Sequence, residues 1–168
     1  MNLRTYTEAD LAAVASLFTA SVHELGASRY DASQREAWAP IPPDLEAWAT
    51  RLASLHTVLA HEDGELAGFI SYEADGHIEF LYTRPGFERR GVASLLCRHV
   101  ENALPGIELA TEASLVARPF FLHQGFHVTE EQSVTRRGAA FSRFAMRKTV
   151  PTMCNASQLA HSSHEERS

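Results

Sequence analysis

The chain has 168 residues, 45% of them hydrophobic, and a formal net charge of −6. That is enough apolar material for one globular domain with a core. No stretch approaches the roughly 20 apolar residues of a membrane span, and the acidic balance argues against broad nucleic-acid binding.

Met1-Asn2-Leu3-Arg4-Thr5-Tyr6 has no apolar core and does not read as a signal peptide. Cys97 and Cys154 lie far apart without metal-ligand spacing. With Cys97 inside a helical pattern, a buried thiol in a reducing, cytoplasmic setting is expected. A first strand is predicted over 3–6. Thr7 then offers an N-cap, and Leu11, Val14, Leu17, Phe18, Val22 and Leu25 keep helical spacing up to Gly26. Residues 27–43 are irregular, with a short helix over 33–38 and three prolines, Pro40, Pro42 and Pro43, that force extended chain. Asp44 opens a helix carrying Leu45, Trp48 and Leu52 to about Leu55.

A meander comes next. Strands are predicted over 56–61, 65–73 and 77–84, joined by turns at Asp63-Gly64 and Asp75-Gly76. Pro85-Gly86 stops the third. Arg89-Arg90-Gly91 then leads into Val92-Ala93-Ser94-Leu95-Leu96, a helix running to about Ala103. A strand, a basic glycine turn and a helix start make a natural anion site, because the helix N-terminus carries unpaired N–H groups and the positive end of its dipole. Further on come a strand over 107–111, a helix over 115–124 ended by Gly125, and strands to about 133 and over 140–148 around Arg137-Gly138. From residue 150 the chain is polar and aperiodic and reads as a flexible tail, so the domain is expected to span 1–149. His161 and His164 in that tail lack companion ligands, and no metal is expected.

Two segments resemble motifs of the GCN5-related N-acetyltransferase (GNAT) superfamily. The turn with Glu88, Gly91 and Ala93 is similar to the family's Gln/Arg-x-x-Gly-x-Gly/Ala, with Glu88 departing from it. Ser114-x-x-Ala117-x-x-Phe120-Phe121-x-x-x-Gly125-Phe126 is similar to Asn-x-x-Ala-x-x-x-Tyr-x-x-x-Gly-Phe, with Ser114 for Asn and Phe121 for Tyr. Ala60-x-x-x-Gly64-Glu65-Leu66-x-Gly68-Phe69 is also common there. The likeness covers residues 3–149 and is closest to a bacterial acetyltransferase group. It implies an α/β (α+β) fold with a mixed, mostly antiparallel sheet of six to seven strands, about four flanking helices, and a splay between the fourth and fifth strands.

It also implies acetyl-CoA as co-substrate, without a metal, and transfer of the acetyl group to a primary amine by direct attack in a ternary complex. By position, Leu81, Tyr82 and Thr83 would bond the pantetheine arm, and Arg89, Arg90, Gly91, Val92, Ala93 and Ser94 would hold the pyrophosphate. Ser114, Phe120 and Phe121 would lie by the thioester. Glu79 is the first candidate base, or else an outward-facing strand residue. Glu112 is the second, or else a helix-capping acid. With Phe121 unable to donate a proton, the acid is Tyr82, Ser114 or none. His23, Tyr30 and Trp38 could line the acceptor pocket; otherwise His23 is a surface residue and the two aromatic residues pack structurally. The acceptor would be a small-molecule or protein amine, and the acidic balance suits a cationic one. Neither a nucleic-acid partner nor a membrane is expected, and a homodimer is possible. The rival reading is a non-catalytic acyl-CoA-binding module, favoured by Phe121.

Overall fold

The computed structural model describes residues 1–151. Seven strands form one mixed sheet: β1 (Asn2–Thr5), β2 (His56–Glu62), β3 (Glu65–Tyr72), β4 (His77–Thr83), β5 (Leu109–Ala113), β6 (His127–Arg136) and β7 (Ala139–Lys148), in the order β1-β2-β3-β4-β5-β7-β6. Five helices flank it: α1 (Leu11–Ala20), α2 (Ala32–Trp38), α3 (Leu45–Ala53), α4 (Val92–Ala103) and α5 (Arg118–His123). All strand pairs are antiparallel except β4 with β5.

Both faces of the central strands are covered, which is why β2 and β3 read as nearly unbroken apolar runs. On one face α4 places Val92, Leu96, Cys97 and Val100 over Val58, Ile70 and Ile78. On the other, Val14, Phe18, Trp48 and Leu52 of α1 and α3 cover Leu59, Phe69 and Phe80. Ile78 and Phe80 lie two residues apart yet serve opposite faces. The register explains this: Phe80 pairs with Ser71 but Ile78 pairs with Tyr72, so Glu79 is the extra residue of a β-bulge. A bulge reverses the alternation of the strand and re-aims the residues beyond it.

Several local expectations are corrected. Gly26 does not end the first helix: the chain widens into a π-helical turn (Ser21–Leu25), Gly26 stays right-handed at φ −75°, and a 3₁₀ turn runs on to Ser28. Arg35 donates to the His23 carbonyl at 2.7 Å within this irregular stretch. The strand expected over 107–111 begins two residues later, where the Ala110 amide reaches the Gly76 carbonyl at 3.0 Å. This puts Glu112 inside the strand and removes it from helix capping. The helix expected from Leu115 starts at Arg118 because Ser114 Oγ takes the Ala117 amide in a preceding turn (3.1 Å) and Pro119 favours the first helical turn. It ends as expected, with Gly125 left-handed and its amide and that of Phe126 returning to Leu122 and Phe121. Five helices stand where about four were expected. Val150 is buried in the core, one residue past the expected domain boundary. Cys97 is 1% exposed, with its thiol pushed up to about 12 by burial, an inert core residue. Cys154, His161, His164 and the tail from 152 lie outside the described residues. Among those described, no helix is long and apolar enough to cross a membrane.

Candidate active site

The β4–β5 ladder has only two rungs, His77 to Ala110 and Ile78 to Thr111. Thr111 Oγ1 donates to the Ile78 carbonyl at 3.0 Å and closes the second. Beyond it the strands part: β4 stays with β3 through Thr83, while β5 stays with β7 through Ala113. The bulge at Glu79 decides which backbone groups face the gap. Ile78 turns its carbonyl toward β5, whereas the Arg84 amide donates to Ala67 of β3. Alternation from Arg84 backwards assigns the Tyr82 peptide to β3 and leaves the Leu81 and Thr83 peptides facing the gap. Of the three expected backbone contributors, Tyr82 is therefore already engaged by the sheet.

The turn before α4 forms the second part of the site. Arg89 and Gly91 both have positive φ, 60° and 81°, which curls the backbone ahead of the helix. A Cβ on Gly91 would meet nothing within 4 Å, so open space lies before the first amides of α4. Glu88 turns back, and its carboxylate accepts from the Gly86 amide at 2.8 Å, closing its own turn. Arg90 is partly spoken for. It lies 3.5 Å from Glu62 and stacks 5.0 Å above the Phe87 ring. Ser94 Oγ accepts from Gln124, the residue that follows α5, at 3.0 Å, tying the helix start to the other motif.

A cavity of about 880 Å³ opens from the gap toward α1, α2, α3 and the β6–β7 hairpin. Glu79, Glu112, Leu81, Tyr82, Ser114, Phe121, Tyr30 and Trp38 all line it. At its acidic end one imidazole joins the carboxylates. His77 Nε2 donates to Glu112 at 2.6 Å, and its Nδ1 lies 3.6 Å from Glu79 and 3.9 Å from Glu73. Burial opposes the imidazolium, but the Glu112 bond and the charges of Glu112, Glu79 and Glu73 outweigh it and raise the His77 pKa. Glu79 also pairs with Arg51 of α3, whose guanidinium lies 4.5 Å from the centre of the Phe80 ring. Glu73, His77 and Glu79 bring ligand atoms within 4.8 Å of one another, a grouping that these ion pairs already use.

Tyr82 packs edge-on against Phe18 at 4.7 Å between ring centres, and its hydroxyl is pushed well above the phenol range by burial. It keeps its proton at any ordinary pH. Tyr30 is 4% exposed, and its hydroxyl accepts from the Leu115 amide at 2.9 Å, so it braces the loop before α5 while presenting its ring to the cavity. His23 does not join the site: its Nε2 donates to the Ala39 carbonyl at 2.7 Å, fixing the turn after α2. Phe120 packs on the core beside Phe121 and does not line the cavity.

The Acetyltransferase (GNAT) domain family matches residues 24–150. The chain belongs to this family.

It is 33% identical over 147 residues to the uncharacterized N-acetyltransferase YafP of Escherichia coli K12, spanning 88% of this chain and 95% of the relative. It superposes with TM-score 0.83 and 32% identity on a GCN5-related N-acetyltransferase of Rhodopseudomonas palustris, covering 88% of this chain and 94% of that one. PaiA N-acetyltransferase of Thermoplasma acidophilum, solved in complex with coenzyme A, shares the fold at TM-score 0.71 and 20% identity, over 88% and 98% of the two chains. In this GNAT chain, Phe121 at the family's tyrosine position is 3% exposed and packs edge-on with Phe126 at 5.0 Å. It is a wall and can carry no proton. The cavity is also lined by residues that the sequence did not single out: Arg51, His77 and, across it, Arg136, Arg137 and Arg143. For the hairpin the signal was present. Val134 and Arg136, with Phe141 and Arg143, repeat every second residue and so share a face of their strands.

Proposed function

We propose that the protein is an acetyl-CoA-dependent N-acetyltransferase that moves the acetyl group to a primary amine of a small molecule or protein, by direct attack in a ternary complex. The observation that carries this is the two-rung β4–β5 ladder, which opens at Glu79 into a cavity with carboxylates at its mouth. Coenzyme A suits the residues present. The gap offers unpaired peptide groups of Leu81 and Thr83 to an amide-bearing arm. The turn at Arg89–Gly91 offers backbone N–H groups, open space and the Arg89 charge to a pyrophosphate. The thioester supplies an activated acetyl carbon when bound there.

Glu79, acting through water, takes the ammonium proton. The neutral nitrogen forms its bond to the acetyl carbon, the carbon–sulfur bond breaks, the nitrogen gives up its second proton to solvent, and the thiolate departs and takes up a proton from solvent. Arg51 and His77 hold Glu79 in place, and Glu112 holds His77. No tyrosine acid is needed, because a thiolate is a tolerable leaving group and Tyr82 holds its proton tightly. The test is free-thiol release from acetyl-CoA over a panel of amines. Acceptor-dependent release supports the reading. Binding of acetyl-CoA without release over any acceptor overturns it in favour of a non-catalytic binding module, the reading that Phe121 favours.

A further inference from the structure

The cavity has two electrical poles. At the gap, the charges are matched: Arg51 pairs with Glu79, and His77 with Glu112. At the opposite wall, the β6–β7 hairpin brings in Arg136, Arg137 and Arg143. Among the described residues no carboxylate lies within 4.0 Å of any of the three, as the ion pairs there involve other residues. Arg137 donates to the Ala37 carbonyl at 2.6 Å and Arg143 to Gln132 at 2.8 Å, so both are held in position by neutral acceptors. The wall is fixed: Gln34 of α2 donates to the Ala140 carbonyl at 3.0 Å, pinning the hairpin tip. In a chain of net charge −6, three guanidinium groups facing one cavity without acidic partners make a pocket for an anion. Trp38 and Phe141, edge-on to one another at 6.2 Å centre to centre, add apolar lining to the cavity. The turn proposed for the pyrophosphate, residues 89–94, does not line this cavity.

We propose that the acceptor is an amine that also carries an anionic group, a carboxylate or a phosphate-type acid, bound by Arg136, Arg137 and Arg143 while its amine reaches Glu79. This reverses the cationic acceptor expected from overall charge, because the local field of the cavity governs recognition there. The inference rests on the acetyl-transfer reading and adds the acceptor's class to it. The covalent step is unchanged: one ammonium proton passes to Glu79, the carbon–nitrogen bond forms, the carbon–sulfur bond breaks, the nitrogen's second proton is lost to solvent and the thiolate is protonated from solvent.

Both tryptophans of the chain, Trp38 and Trp48, line the cavity, so intrinsic fluorescence reports its occupancy directly. The experiment titrates matched pairs into the full chain saturated with CoA: phenylalanine against phenethylamine, and aminoethylphosphonate against ethylamine, with spermidine as a cationic control. The same panel is then run with acetyl-CoA for thiol release. The expected result is binding of the anionic member at least about tenfold tighter than its partner. The preferred pair tells carboxylate from phosphonate. Arg136→Gln removes the discrimination and leaves CoA affinity unchanged, and Arg136→Lys retains part of it. Equal or weaker binding of the anionic members, no binding by any of them, or an equal effect of Arg136→Gln on both members of a pair overturns the proposal. Discrimination in fluorescence without thiol release over any acceptor leaves the anion pocket standing and removes acetyl transfer. Release without discrimination does the reverse.

Discussion

His77 Nε2 lies 2.6 Å from a carboxylate oxygen of Glu112, spanning the two strands beside the last rungs before they part. The same ring faces Glu79 with its other nitrogen at 3.6 Å. One imidazole thus couples the acidic end of the cavity across a gap that no backbone hydrogen bond spans beyond Ile78.

This coupling has a pH signature. The folded His77 pKa is raised above its ordinary 6.5 by the Glu112 bond and neighbouring carboxylates, which outweigh burial. A raised value means that the protonated ring stabilises the fold. That contribution is complete below 6.5 and is lost as pH rises through the folded value. Thermal melts of wild type and His77→Gln are expected to differ most at mildly acidic pH and to converge as pH increases. A difference independent of pH would count against the coupling.

Glu79→Gln is expected to lower turnover by roughly 10²- to 10⁴-fold and to flatten the acidic limb of the rate profile, with CoA affinity preserved. Its stability cost is small, about 1 kcal/mol, because the Arg51 pair is partly exposed to solvent. Full activity of Glu79→Gln together with a dead Glu112→Gln would move the base to Glu112, which also lines the cavity.

Gly91→Glu puts a side chain and a negative charge into the open space before α4, at a backbone φ of 81° that favours glycine. Binding of CoA, measured by calorimetry, is expected to be abolished while the far-ultraviolet circular dichroism stays native. Unchanged affinity would place the pyrophosphate elsewhere.

Gly68 tests how β3 seats α4. A Cβ there would lie 2.7 Å from Val92 Cγ1 and 2.8 Å from the Tyr82 carbonyl. Gly68→Ala is expected to destabilise the fold by about 1–3 kcal/mol in urea titrations. At Gly64 nothing lies within 4 Å, and only the turn's φ of 78° opposes a side chain; Gly64→Ala should cost about 1 kcal/mol. Equal effects at the two sites would contradict the packing described.

The order of strands and helices was legible because apolar periodicity and glycine turns are local signals. The hairpin at Asp63-Gly64 shows the left-handed pair its sequence announces, with φ of 51° and 78°. The glycine turn reads as an anion site from its charge and helix start, but its assignment to a pyrophosphate, like the splay, came from family likeness. The features that escaped were set by distant partners. The start of β5 depends on Gly76, more than 30 residues away in sequence. The bulge at Glu79 exists only in register with Ser71 and Tyr72. Arg51 meets Glu79 across 28 residues. His23 looked like a loop-facing acceptor contact, but the turn after α2 claims it. Net charge averages over the whole surface, whereas the hairpin arginines line one cavity, which is why the anionic acceptor proposed above departs from the cationic one that overall charge suggests.

Acetyl transfer at the gap between β4 and β5 is tested most directly by incubating purified protein with acetyl-CoA and an amine acceptor, counting free thiol and N-acetyl product together. The two are expected in equal amounts, dependent on acceptor, and lost in Gly91→Glu. Saturable acetyl-CoA binding with no thiol release over any amine would contradict acetyl transfer at this site.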